Sequence, residues 1–317
     1  MFEPTGPGDT SVSHQNARLA LVLLIVCTVL WGTLYIITKD ITANVPIFIF
    51  LGIRHLIALV GFTPLLGHLR NINRKVVVVA LGTGAANFAL NAFQVYGLQT
   101  ISTGTSAFLT GFSVVLVPFL AWKILNKPIT KRTWIAAVVA LLGIGVITLS
   151  GSGAQLFQFG IGDVYTLLGA FFAAIQIVYT ERYAPQVDIV AFSFIQLSVV
   201  CASSFVCAAL FESWSNLPLT SGIFWAGIIW MGVAVTTLPF LFQNFGQRFQ
   251  SSSRVAVIFT LEPVFATMFG AIFGNEGLPL QLIAGGGLIL IANLIATQSA
   301  KVKVDPPSRP EVLGPQE

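Results

Sequence analysis

Two ionisable side chains, Arg54 and Glu262, stand inside long apolar runs of this chain, and each commits its surroundings to a chemistry. Counted from the ends of their runs, both lie roughly 12 Å inside a hydrocarbon core about 30 Å thick. A charge near the bilayer centre costs at least ~2.5–3.5 kcal/mol, so each is expected to face a cavity or a partner instead of lipid. The two could pair, or hold opposite ends of a zwitterion. Glu262 is the expected proton-coupling group, because intramembrane carboxyls serve as proton relays. Arg54 could instead hold a substrate carboxylate. The plainer alternatives are that Arg54 bonds carbonyls exposed at a helix break and that Glu262 ties neighbouring helices together.

Amides and rings extend the set. Asn87, Asn91 and Gln94 are spaced i, i+4 and i+7, which puts all three on one face of a helix. Such a stripe in a membrane must point at water, solute or another helix. Gln176, Gln196, Gln243 and Asn244 are further donors, the last two close enough to a helix end to be merely interfacial. Trp31 and Tyr35, four residues apart, could form an aromatic wall for a ring, an apolar chain or a cationic head. Bulky packing is the alternative in a chain with 26 phenylalanines, and it weakens Tyr179 and Trp230 further. Pro118, Pro239 and Pro263 lie inside helical runs. Each removes a backbone hydrogen bond and frees a carbonyl one turn earlier, making a hinge or a fixed kink.

The elements that must carry these residues are membrane helices. The chain is 55% hydrophobic and 9% charged, which leaves no ordinary soluble surface. Ten apolar stretches are expected to span: 19–38, 46–66, 76–96, 103–125, 134–150, 162–179, 189–211, 222–242, 255–274 and 280–297. Runs apolar on all sides, such as 136–147, exclude the alternation of a β-barrel. The fold class is therefore an all-α integral membrane protein. Gly82, Gly84, Gly143, Gly145 and Gly285 to Gly287 are expected to allow close helix packing.

Fourteen of the sixteen lysines and arginines fall on one side of this threading; Lys39 and Arg54 are the exceptions. The positive-inside rule then puts both termini in the cytoplasm, and anchoring to anionic lipid headgroups fits the scattered basic loops better than nucleic acid does. Residues 1–18 and 300–317 are expected to be disordered tails. Cys27, Cys201 and Cys207 sit in apolar runs and are read as packing residues. No catalytic group, metal-ligand set or cofactor is expected. The three histidines, His14, His55 and His68, belong to no HExxH, and neither GxSxG nor Walker A occurs.

A Gly/Ser-rich linker over 151–161 divides the chain into five stretches (19–150) and five (162–299), and odd-numbered halves must be inserted upside down relative to each other. Gln94-Val-Tyr-Gly aligns with Gln243-Asn-Phe-Gly, and without a gap Ser102 then meets Ser251, Ala107 meets Ala256 and Asn126 meets Asn275. Inverted repeats around a midplane site are the architecture of alternating-access carriers.

Over about residues 19–299 the chain resembles the ten-helix EamA-type branch of the drug/metabolite transporter superfamily. The resemblance is carried by Leu30-Trp31-Gly32 with Lys39, Arg54, Phe108-Leu-Thr-Gly, Val115-Leu-Val-Pro118, Leu261-Glu262-Pro263-Val264, and Gly274-Asn-Glu276 before Gly285. Departures are Asn126-Lys127 where the second half has Asn275-Glu276, and His55 where the family more often has an aromatic residue. The resemblance implies an inner-membrane carrier, usually an exporter of small metabolites, amino acids or toxic compounds. A membrane-embedded enzyme, or a receptor or assembly factor, is the other class. The expected partners are a small-molecule substrate and membrane lipids. The sequence leaves the oligomeric state open.

Overall fold

The structure, a computed structural model, describes residues 7–101, 106, 109–149, 160–215, 217, 220–273 and 280–298. Every regular element among them is helical. A lipid solvent demands this, because backbone groups in hydrocarbon must be satisfied within their own segment. The helices are α1 (Pro7–Gly32), α2 (Leu34–Thr42), α3 (Ile47–Val60), α4 (Arg74–Leu98), α5 (Ser113–Leu125), α6 (Lys131–Leu149), α7 (Ile161–Tyr183) and α8 (Ile189–Phe211). After them come α9 (Gly222–Gly232), a π-helical turn (Val233–Thr237), α10 (Leu238–Phe249), α11 (Ser252–Phe259), α12 (Glu262–Phe273) and α13 (Leu280–Gln298).

Five described stretches are long and apolar enough to cross a bilayer: Gln15–Gly32, Arg74–Leu98, Ile161–Gln186, Ile189–Phe211 and Gly222–Phe249. Shorter apolar helices include Ile47–Val60, which gives way to a 3-10 segment over Thr63–Asn71. The run expected over 46–66 is thus cut short near Gly61, whose N–H bonds back to Ile57. The run over 255–274 breaks at Thr260 and Leu261, immediately before Glu262 and Pro263. Helix α1 begins at Pro7, inside the tail expected to be disordered, since no glycine or proline follows Gly8 until Gly32. Residues 1–6, most of the linker, Ser102, Ala107, Phe108, the Gly274-Asn275-Glu276 segment and residues 299–317 lie outside the described residues.

Helix α4 packs along α7 and α8, α3 along α8, α1 along α10, and α6 along α13. Small residues set the closest crossings. A Cβ on Gly143 would stand 2.7 Å from the Gly285 carbonyl oxygen, and one on Gly97 would meet Thr166 and the Gly162 carbonyl. A β-carbon at Gly82 or Gly287 meets nothing within 4 Å, so the close packing expected there is corrected. Leu142, Ile283 and Leu294, among others, are exposed on the outer faces, as lipid-facing side chains should be.

Two large apolar clusters form the core. One joins Leu24, Val117, Ala121, Ile177 and Val255; the other joins Leu34, Phe50, Leu51, Leu98, Ile228 and Met231. Leu24 of α1 belongs to the first and Leu34, which opens α2, to the second; Trp31, near the end of α1, packs against the second. A polar layer lies where the two clusters meet, since Ile177 and Ala256 of the first and Leu34 of the second line one cavity together with amides and charges.

Candidate functional site

A cavity enclosing about 110 Å³ lies in this layer. It is lined from α1 and α2 by Trp31 and Leu34, from α3 by Arg54, and from α4 by Asn87, Leu90, Asn91 and Gln94. Thr110, Gly111 and Ser113 follow, then Ala173, Gln176 and Ile177 of α7, and Phe240 and Gln243 of α10. Ala256, Phe259, Thr260, Glu262 and Pro263, at the break between α11 and α12, complete the wall. The space is smaller than the roughly 300 Å³ from which sites for drug-sized ligands begin, so the walls must part to admit more than a few waters.

Most residues singled out in the sequence therefore meet: Trp31, Arg54, Asn87, Asn91, Gln94, Gln176, Gln243, Glu262 and Pro263. The side chain of Tyr35 lies outside the described residues. Pro118 and Pro239 do not line the cavity, and α5 continues through Pro118. Tyr179 is half-exposed and stacked on Tyr183, while Trp230 donates to the Thr33 hydroxyl at 3.2 Å. Gln243 and Asn244 are both buried within the protein.

The two sides of the cavity use their polar groups differently. On the α7–α10 side, Gln243 Nε2 donates to Gln176 Oε1 (3.0 Å) and to Gln247 Oε1 (3.1 Å). Gln247 Nε2 donates to the Ile177 carbonyl (2.7 Å), and Gln176 Nε2 to Thr180 (3.3 Å). Behind this chain Asn244 Nδ2 donates to Ser193 and Gln196, neither of which lines the cavity. On the α3–α4 side, Asn91 Nδ2 donates to the side-chain and backbone oxygens of Asn87, but Asn87 Nδ2 is buried with no hydrogen-bond partner.

Arg54 is 3% exposed, and its Nε donates to Thr236 Oγ1 at 2.8 Å. Thr236 lies in the π-helical turn and passes its own proton to the Met231 carbonyl at 2.7 Å. Pro239, without an N–H, leaves the Val235 carbonyl free, and the Trp31 indole N–H takes it at 3.1 Å. Thr237 donates to the Ala58 carbonyl at 2.8 Å and so ties the same turn to α3. Trp31 thus spends its donor on the fold and turns its ring edge-on to Phe259. Glu262 opens α12 in its first turn, where a negative charge is favoured by the helix dipole.

Two carboxylates absent from the sequence reading cap helices at either end of the molecule. Glu212 accepts from the N–H groups of Phe48 (2.8 Å) and Ile49 (2.9 Å) at the start of α3. Glu181 accepts from the N–H of Ser252 (2.9 Å) at the start of α11 and pairs with Lys127. Arg182 and Arg248, in the last turns of α7 and α10, also donate to backbone carbonyls, so these cations hold the fold together. Thr236 was equally unmarked, although a threonine pair one turn before a proline is a signal that could have found it. Among the described residues no group of three or more His, Cys, Asp or Glu is placed to hold a metal. The cysteines are free, and Cys27 donates to the Pro239 carbonyl.

The class this defines is an integral membrane protein of helices around a buried polar cavity. The chain matches the EamA-like transporter family over residues 18–149 and again over 160–298, and it belongs to that family of membrane transporters. An uncharacterized transporter of Archaeoglobus fulgidus is 28% identical over 293 residues, covering 92% of this chain and 88% of the relative. A probable biotin transporter of Pseudomonas aeruginosa is 25% identical over 280 residues, covering 86% and 95%. A solved crystal structure, 20% identical, shares the fold with a TM-score of 0.75 over 89% of this chain and 97% of that one.

Proposed function

We propose that the protein is a secondary carrier that exports a small organic solute across the cytoplasmic membrane by alternating access around this cavity. The observation that carries the reading is the lining itself, a buried layer of charge, amides and rings drawn from both family-matched segments. The ungapped register that sets Gln94 on Gln243 also sets Asn91 on Phe240, Thr110 on Phe259, Gly111 on Thr260 and Ser113 on Glu262. Every one of these residues lines the cavity. That supports ten spans arranged as two inverted five-helix halves, 19–150 and 162–299, joined by the linker over 151–161, with both termini cytoplasmic. In this reading Glu262 carries the coupling proton, Trp31 and Tyr35 form the aromatic wall, and Pro118, Pro239 and Pro263 mark the flexing points. The name of the Pseudomonas relative, a probable biotin transporter, supports a small metabolite as cargo.

The test is uptake of labelled amino acids, organic acids and cationic dyes into inside-out vesicles, with and without a proton gradient. Gradient-dependent accumulation lost in Glu262→Gln is expected. Uphill, proton-dependent transport surviving in Glu262→Gln refutes the coupling role, and no flux of any compound refutes the carrier.

A further inference from the structure

The cavity holds a guanidinium whose hydrogen-bonding capacity is mostly unspent. Arg54 is buried, lines the cavity, and makes one hydrogen bond among the described residues, from Nε to Thr236. Thr236 is itself fixed as an acceptor, because its proton goes to the Met231 carbonyl. The guanidinium is therefore held by one edge. Of its five N–H donors, the four on the terminal nitrogens have no acceptor among the described residues. A buried cation in that state is costly unless a counter-charge arrives.

Asn87 supplies a second, independent signal. It is 1% exposed and lines the same cavity; its oxygen accepts from Asn91 at 3.0 Å, while its NH₂ group has no partner. The carboxamide is oriented by the bond it accepts and keeps its donors in reserve. Arg54 and Asn87 together offer donors only, which calls for an acceptor-rich group. The glutamines opposite are spent on one another and do not compete for it.

We infer that Arg54 and Asn87 form a carboxylate subsite, and that the cargo is a monoanionic carboxylic acid with an apolar or aromatic body. The inference rests on the carrier reading above and names its substrate class. A planar guanidinium with free terminal nitrogens matches a carboxylate bidentately. A phosphate dianion fits worse, because Arg54 is the one cation among the described lining residues and Glu262 shares the wall. Trp31, Leu34, Phe240 and Phe259 provide the apolar surface for the body, and the Trp31 indole, already bonded to Val235, presents ring and not donor.

The experiment is equilibrium binding to the purified full-length protein in lipid nanodiscs, using matched acids, amides and amines: 3-phenylpropionate, 3-phenylpropanamide and 3-phenylpropylamine, with hexanoate, hexanamide and hexylamine. The acids should bind at least about tenfold more tightly than their partners. Arg54→Gln should weaken acid binding by about tenfold to a hundredfold and leave the amides unchanged. Thr236→Val, which keeps the guanidinium but removes its anchor, and Asn87→Ala should each weaken the acids several-fold, so the subsite stays testable if Arg54→Gln fails to fold. Equal binding of acids and amides, or full acid affinity in all three variants, overturns the subsite. If amines or amides bind and are carried while acids are not, the subsite falls and the carrier stands. If no class is bound or carried, both fall.

Discussion

The α7–α10 wall of the cavity and its α3–α4 wall carry similar residue types and use them in opposite ways. Gln176, Gln243 and Gln247 form a chain of donors and acceptors that ends on the Thr180 hydroxyl and the Ile177 carbonyl. Arg54 and Asn87 retain donors that no described residue satisfies. A satisfied buried network fixes structure, whereas an unsatisfied one costs stability until something binds. The difference separates scaffold from site more sharply than residue type does.

Removing Arg54 should break the comparison most. Arg54→Gln is expected to lower transport by more than tenfold while the thermal midpoint holds or rises, because a buried, incompletely paired charge is lost. Flux into proteoliposomes together with a melting curve checks both. Gln243→Leu should do the reverse. It strips donors from Gln176 and Gln247, costs about 1–3 kcal/mol of stability, and reduces ligand affinity much less than Arg54→Gln does. Thermal unfolding beside a binding isotherm decides this. Trp31→Phe keeps a ring but leaves the Val235 carbonyl unbonded. A loss of about 0.5–1.5 kcal/mol is expected, read as a lower melting temperature. The smallest effect belongs to Lys127→Ala, since the Lys127 side chain is 57% exposed and such pairs contribute about 0–1 kcal/mol. Its melting curve should nearly overlay that of the parent protein.

Much of this was legible in the sequence where local spacing decides the outcome. The i, i+4, i+7 stripe of Asn87, Asn91 and Gln94 does reach one cavity, and the charges of Arg54 and Glu262 reach it with them. Proline chemistry was also readable: Pro239 frees the Val235 carbonyl that Trp31 occupies. What could not be read was which donors are already spent. That depends on contacts such as Arg54 to Thr236, 182 residues apart, and on a π turn that re-aims Thr236 and Thr237. Glycine spacing misled at Gly82 and Gly287, because the same residue that allows a crossing at Gly143 also sits where nothing approaches. The capping roles of Glu181 and Glu212 escaped notice for a related reason. A carboxylate at a helix end looks interfacial until the N-terminus it serves is known.

The most direct test puts the two walls side by side: labelled 3-phenylpropionate flux in proteoliposomes holding the parent protein, Arg54→Gln or Gln243→Leu, each normalised to folded protein. Flux is expected in the parent, its loss in Arg54→Gln, and its survival in whatever fraction of Gln243→Leu remains folded. Undiminished flux in Arg54→Gln, or complete loss in well-folded Gln243→Leu, would contradict the division into a binding wall and a supporting one.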